Sequence, residues 1–185
     1  MTKAQLTVLA GPTAVGKGTV VAALTKRYPT LNVSVSATTR DPRPGELNGV
    51  HYYFVSAQEF DAMIERGDML EWALVHGKNK YGTPRGPVDE ALAAGKPVLL
   101  EIDLAGARQV RTNRPDAQFI FLAPPSWEEL ERRLIGRGTE GTEEQARRLA
   151  TARVELEAAS EFDHVVINDD VERAVDELAR LIGLE

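Results

Sequence analysis

Residues 5–19 read QLTVLAGPTAVGKGT, and the fold is decided there. Residues 5–10 form a largely apolar run of strand length. Gly11-Pro12-Thr13-Ala14-Val15-Gly16-Lys17 then fits the pattern G-x-x-x-x-G-K, and a helical pattern covers 18–28. A strand, a glycine-bearing loop and a helix, in that order, are what a phosphate cradle requires. The glycines let backbone N–H groups turn inward around phosphate oxygens. The helix N-terminus adds partial positive charge, and Lys17 adds a full one. By composition the pattern alone turns up in roughly one chain in twenty. The strand before it and the helix after it supply the specificity. The competing account is a glycine-rich strand-to-helix turn with a surface lysine.

Outward from this unit the same alternation repeats. Runs at 97–102 (PVLLEI), 117–122 (AQFIFL) and 164–167 (HVVI) read as strands. Helical patterns follow each, over 104–113, from Ser126 to about 135, and over 171–182. Continuous Val, Leu and Ile runs separated by helices mark a parallel sheet covered on both faces. The class is α/β with a doubly wound sheet. Two regions break the rhythm. Residues 34–83 hold many turn signals, among them Asp41-Pro42-Arg43-Pro44-Gly45, Asn48-Gly49 and Tyr81-Gly82, and alternating aromatic segments at 52–55 and 70–75. They predict a small, mostly antiparallel insertion with one helix near 57–66. Residues 132–153 are crowded with Arg, Glu, Thr and Gly and predict an exposed helical flap joined by Gly136, Gly138 and Gly141. Segments of that kind supply moving parts. The expected division is one domain with a core of 1–33, 84–124 and 154–185, an insertion at 34–83 and a lid at 125–153.

A chain of 185 residues suits a single domain and buries roughly 70% of its unfolded surface without a staple. It has no cysteine, which excludes disulfides, thiolate chemistry and Cys-based zinc sites and fits a reducing compartment. His51, His76 and His164 lack metal-ligand spacing. No apolar run has the length of a signal segment or a membrane span, so a cytoplasmic protein without a membrane partner is expected. The 22 basic and 28 acidic residues leave a net charge of −6. Such a chain is a poor generic ligand for nucleic acid. It repels free nucleotide on average, so a nucleotide site must gather Arg and Lys locally.

That gathering occurs within 34–55, SVSATTRDPRPGELNGVHYYFV. Arg40 and Arg43 are three apart in a loop stiffened by Pro42 and Pro44, and two fixed guanidinium forks can grip a monophosphate. Tyr52 and Tyr81 can each donate a phenol O–H. A solvated basic turn beside a pair of core aromatics is the competing account. The segment resembles the GMP-binding region of guanylate kinases, S-V-S-x-T-T-R-x-P-R-x-G-E-x-x-G followed by Tyr. Ser34, Val35, Ser36, Thr38, Thr39, Arg40, Pro42, Arg43, Gly45, Glu46, Gly49 and Tyr52 stand in register with it. The likeness continues through Leu70-Glu71-Trp72, Tyr81-Gly82-Thr83, Glu101-Ile102-Asp103, Arg137-Gly138-Thr139-Glu140 and Asn168-Asp169-Asp170, and so covers nearly the whole chain.

The resemblance implies a P-loop NTPase-type sheet with a GMP-binding insertion and a helical lid. It implies transfer of the γ-phosphoryl group of ATP to GMP, with dGMP as a further acceptor and Mg²⁺ as cofactor; protein partners stay open. Carried onto matching positions, it places the ATP phosphates on Gly11, Pro12, Thr13, Ala14, Val15, Gly16, Lys17, Gly18 and Thr19, with Asn168 near the base. Arg40, Arg43, Tyr52 and Tyr81 would hold the GMP phosphate. Glu71 would read guanine, with Ser36, Thr83 and Asp103 completing the pocket; the family more often has Ser at the position of Thr83. Lys17, Arg133, Arg137, Arg148 and Asp103 would serve the transfer itself. The chemistry agrees at Glu71, because one carboxylate can accept from both N1–H and N2–H of guanine, whereas adenine presents an unprotonated N1.

Plainer roles compete at several of these positions. Asp103 suits the N-cap of the helix at 104, Asp169 or Asp170 that of the helix at 171, and Glu144–Arg148 is a helix-stabilising pair. Residue 18 is glycine where Ser or Thr usually ligates Mg²⁺. The ion is therefore expected to be held mainly through waters and phosphates, with Thr19 and Asp103 as candidate ligands. The ending Lys17-Gly18-Thr19 looks like that of adenylate kinases. Two rival readings remain: a non-catalytic guanylate-kinase-like module that grips a partner peptide, and a kinase of another monophosphate or of a sugar phosphate. Lys17 and the flap arginines argue against the first, and Glu71 with Ser36 and Thr83 against the second.

Overall fold

Leu6–Ala10 forms β1, buried along its whole length, and it lies at the centre of a parallel sheet in the computed structural model. The structure describes residues 3–136 and 141–185. In chain order the elements are β1, α1 (Lys17–Arg27), β2 (Asn32–Val33), β3 (Ala37–Thr38), β4 (Tyr53–Phe54), α2 (Ala57–Glu65), β5 (Met69–Val75), β6 (Asn79–Pro84), α3 (Arg85–Ala93), β7 (Val98–Glu101), α4 (Leu104–Asn113), β8 (Gln118–Ala123), α5 (Trp127–Ile135), α6 (Thr142–Glu157), β9 (His164–Ile167) and α7 (Val171–Ile182). The main sheet runs β2-β7-β1-β8-β9, parallel throughout.

Side chains alternate across these strands. Leu6, Val8, Val98, Leu100 and Phe119 face one side and pack with Val88 of α3 and Ala107 and Val110 of α4. Leu9, Leu99, Ile120, Leu122 and Val166 face the other and pack with Val20 and Leu24 of α1 and Val175 and Leu178 of α7. Both faces are apolar because both are covered, which is why the sequence shows unbroken Val/Leu/Ile runs. A second sheet, β4-β3-β6-β5, holds the insertion. Its β3–β6 and β5–β6 ladders are antiparallel and its β3–β4 pair is parallel. Phe60 of α2 fills the small core beneath it with Ala37 and Met69.

Two elements carry no clear sequence signal. The two-residue β2 is too short to show a period. In α3, Gly86 and Pro87 read as a turn, yet they fall in the first helical turn, where backbone N–H groups have no intrahelical partner for Pro to remove. The flap helix α6 also runs on to Glu157, beyond the expected lid boundary at 153.

β1 leaves the sheet through a tight contact. A Cβ on Gly11 would stand 2.4 Å from the backbone oxygen of Leu122 on β8. No flexible side chain can yield there, so the strand or the loop must move. Gly11→Ala is expected to cost about 1–3 kcal/mol of stability, the usual range for forced overpacking. A urea titration checks it; an unchanged midpoint would mean that the loop relaxes without cost.

Candidate functional site

The C-terminal ends of β1, β7 and β9 carry the phosphate loop, the Glu101–Asp103 pair and Asn168. Ligands of open parallel sheets collect at this edge. The local chemistry of α1 differs from that of most other helices here. Ser56, Asp103, Ser126 and Asp170 cap α2, α4, α5 and α7, each accepting from the backbone N–H three residues on. The cap of α1 is Gly16, which offers no side chain, and the first turn holds no acid. Its leading amides are left to an anion.

The loop is braced from behind. Asn168, 4% exposed, donates Nδ2–H to the carbonyl of Val15 at 2.8 Å, and Arg133 Nη1 donates to the same oxygen at 3.1 Å. Gly16 sits at φ +96, and a Cβ there would come within 2.8 Å of Asn168 Nδ2. Lys17 Nζ crosses the loop to the carbonyl of Gly11 at 2.9 Å. Burial lowers the pKa of Lys17, opposed by the charges of Glu155, Glu101 and Asp103. Glu155, from α6, is itself pushed up by burial and held down by Lys17. A groove of about 400 Å³ opens along Pro12, Thr13, Ala14, Gly16, Lys17, Gly18, Thr19 and Glu101.

A second group lies across Asp103. Glu71 and Thr83 are cross-strand partners on β5 and β6, and the Thr83 hydroxyl donates to Glu71 Oε1 at 2.7 Å. Asp103 Oδ1 accepts from Gly106 N–H at 2.8 Å as the cap of α4. Glu71 Oε2 and Asp103 Oδ1 each lie 3.1 Å from where a Cβ on residue 106 would stand, so a side chain there would press on both. Glu71 is 8% exposed. Burial raises its pKa above the ordinary value, with Asp103 adding to the effect and the Thr83 hydrogen bond opposing it. Asp103 thus acts electrostatically on both Lys17 and Glu71.

A third group sits at the end of β3. Arg40 forms a two-point pair with Glu46 at 2.9 and 3.0 Å. Its guanidinium lies 5.2 Å from the centre of the Tyr52 ring, and Tyr52 meets Tyr81 edge-on at 6.0 Å. Arg43 is exposed, with its backbone N–H bound to Glu46 Oε2 at 2.7 Å. Ser36 leads into β3, half-buried.

The guanylate kinase family model matches residues 3–185. The chain belongs to the guanylate kinase family. A guanylate kinase of Thermobifida fusca is 61% identical over 179 residues, covering 97% of this chain and 91% of that one. One from Leifsonia xyli is 61% identical over 177 residues, covering 96% and 70%. The crystal structure of guanylate kinase from Anaplasma phagocytophilum superposes with a TM-score of 0.74 at 31% identity, over all of this chain and 87% of that one. A shikimate kinase structure from Bacteroides thetaiotaomicron, 14% identical with a TM-score of 0.51, shares the fold.

The helices α5 and α6, where the sequence leads one to expect a lid, pack directly on the phosphate loop. Ala14, at φ +68, joins a cluster with Leu130 and Leu134 of α5 and Leu149, Ala152 and Leu156 of α6. Arg153 stacks on Trp127, 3.9 Å from the ring centre. Of the lid arginines expected from sequence, Arg133 reaches the loop itself. Arg148 Nε lies 3.6 Å from Glu144 Oε1, and Glu144 also pairs with Arg147. Arg137 lies outside the described residues. Asn168 supports the loop from a buried position, and Thr19 is exposed at the start of α1. Two residues near the site escape a sequence reading. Glu155 is seven positions from Arg148 and so shares its helix face, a spacing that points to it once α6 is extended. Glu46 stands in the matched motif, but only the folded loop brings it onto Arg40.

Proposed function

We propose that this chain transfers the γ-phosphoryl group of ATP to GMP, giving ADP and GDP. Asp103 carries the reading. It neighbours both the phosphate-loop lysine and the guanine-reading carboxylate, so donor and acceptor sites share one sheet edge. A bond forms between the γ-phosphorus and a phosphate oxygen of GMP as its bond to the β–γ bridging oxygen breaks, and that oxygen leaves with the electron pair on ADP. Little covalent help is needed; position and charge neutralisation do most of it. The amides of α1 and Lys17 hold the donor phosphates, Arg40 and Arg43 with Tyr52 and Tyr81 hold the acceptor phosphate, and Glu71 with Ser36 and Thr83 holds guanine. Arg133, Arg148 and Arg137 stabilise charge from the lid, whose closure keeps water from taking the phosphoryl group.

The residues fit a magnesium ion that arrives with the nucleotide. The open side of Gly18 faces Glu101 Oε1, 3.9 Å from an ideal Cβ. The oxygens of Glu101, Asp103 and Thr19 are of the hard kind the ion prefers. Among the described residues, no group of three or more metal-ligating side chains forms a ready-made cage. The ion would be carried mainly by phosphates and waters, with Thr19 and Asp103 as candidate ligands. When bound, it would supply neutralisation of phosphate charge. Among the described residues no helix is long and apolar enough to cross a membrane.

The test is a coupled ADP-release assay with ATP, Mg²⁺ and each of GMP, dGMP, AMP, CMP and UMP. The expected result is GMP-dependent release well above the other ribonucleotides, with dGMP accepted. Release with another acceptor keeps the kinase and overturns the role of Glu71. No acceptor-stimulated release from folded, ATP-binding protein favours a binding module.

A further inference from the structure

A guanidinium has five N–H bonds arranged as two forks. The terminal fork uses one proton from each Nη, and the side fork uses Nε–H and the second proton of Nη2. In Arg40, Nη1 donates to Glu46 Oε2 at 2.9 Å and to the carbonyl of Asp41 at 2.9 Å, and Nη2 donates to Glu46 Oε1 at 3.0 Å. Glu46 therefore occupies the whole terminal fork, and Asp41 takes the last proton of Nη1. These bonds leave Nε–H and the second Nη2 proton, so the side fork remains, and Tyr81 is a further polar neighbour of the guanidinium. The guanidinium also lies beside the rings of Tyr52 and Phe54, 5.2 and 5.9 Å from their centres.

The same carboxylate does a second task. Glu46 Oε2 accepts the backbone N–H of Arg43 at 2.7 Å, so one side chain ties both loop arginines together. The pair is largely sheltered, with side-chain exposures of 14% for Arg40 and 19% for Glu46. The hydrogen bonds from Arg40 and from Arg43 N–H hold the Glu46 pKa down to about 2, so the pair persists at any pH where the enzyme would work.

We propose that Glu46 is a positioning residue for the acceptor phosphate: it occupies one edge of Arg40 so that the other edge is presented to the monophosphate. The proposal rests on Arg40 belonging to the GMP site. Two opposite effects are at stake, and they differ in sign. As a bare negative charge beside an anion site, Glu46 weakens GMP binding, and its removal should tighten it. As the group that orients the fork, its removal should loosen GMP, because a freed guanidinium can turn its terminal edge to the phosphate and misplace it.

The experiment compares wild-type protein with E46Q and E46A. GMP kinetics are measured beside the binding of GMP and of guanosine, which has the base but no phosphate, by titration calorimetry. Thermal melts followed by circular dichroism check folding. The expected result is a KM for GMP raised about tenfold or more in E46A and less in E46Q, which keeps one acceptor. Turnover at saturation should change less than about threefold, the pattern of lost uniform binding. Guanosine affinity should stay within about twofold of wild type. GMP binding that is unchanged or tighter overturns the proposal. So does an equal loss of GMP and guanosine, which would make Glu46 a support of the loop alone. Wild-type protein that binds GMP no better than AMP overturns the acceptor reading itself, and the proposal with it.

Discussion

Lys17→Met is expected to lower kcat at least ~10²-fold, the loss typical of removing one preorganised electrostatic contact from a transition state. The geometry explains why the effect should be large. Lys17 Nζ bridges the phosphate loop to Gly11, so the ammonium is in place before any nucleotide arrives. Burial lowers its pKa, and the charges of Glu155, Glu101 and Asp103 oppose that in part and favour the protonated form. Incoming phosphate thus finds a cation that has already lost much of its water. Methionine has similar length and keeps the packing of the stem, so the substitution removes charge with little loss of contact. Lys26→Met, on the exposed far end of α1, serves as the control and should turn over normally. The coupled assay at saturating ATP and GMP reads both. Near-normal turnover in the Lys17 variant would take this residue out of the mechanism.

How much of this was legible in the sequence depends on range. The core strands and helices were readable because each carries its own local pattern. HVVI at 164–167 and the helix over 171–182 match β9 and α7 residue for residue. Glu71, Thr83 and Asp103 could be named from a resemblance, yet the bond of Thr83 to Glu71 and the approach of Glu71 and Asp103 at Gly106 could not, since they need β5, β6 and the start of α4 to converge from three places in the chain. Asn168 shows the same limit. Its place after a strand was clear, but its hydrogen bond to Val15, 153 positions away, belongs to the folded sheet. Side chains that serve other side chains are the least visible. Glu46 and Glu155 look like ordinary solvated acids in a chain with 28 acidic residues, and only packing sets them against Arg40 and Lys17. The flap was recognised by what it lacks, apolar residues. Its docking on Ala14 could not be read, because a single alanine in a glycine loop gives no periodic signal.

Glu71→Ala is expected to lower the GMP/AMP ratio of kcat/KM by up to ~10⁴, the scale on which a buried site built for a donor rejects an analogue without it. The residue is 8% exposed, and its carboxylate already accepts from Thr83. Guanine brings two N–H donors to oxygens poorly served by water; adenine brings a lone pair against them. A ratio within tenfold of wild type would remove Glu71 from guanine recognition. The raised pKa adds a second consequence. A buried acid whose folded pKa lies above its unfolded value holds its proton more tightly in the native state. Stability therefore falls as pH rises from about 4.5 through the raised value, and the cost is fully present above it. GMP selection needs the ionised form, so kcat/KM for GMP should fall on the acid side at a pH above the ordinary carboxylate range. Glu71→Gln removes the charge and keeps an acceptor for Thr83. It should lose guanine preference while its melting temperature at neutral pH equals or exceeds that of wild type, with the difference shrinking toward pH 4.5. A variant that melts several degrees lower at neutral pH would show the carboxylate to be a net support of the fold. The expected opposition, stability gained as selectivity is lost, is the signature of a charge held in the interior for its substrate.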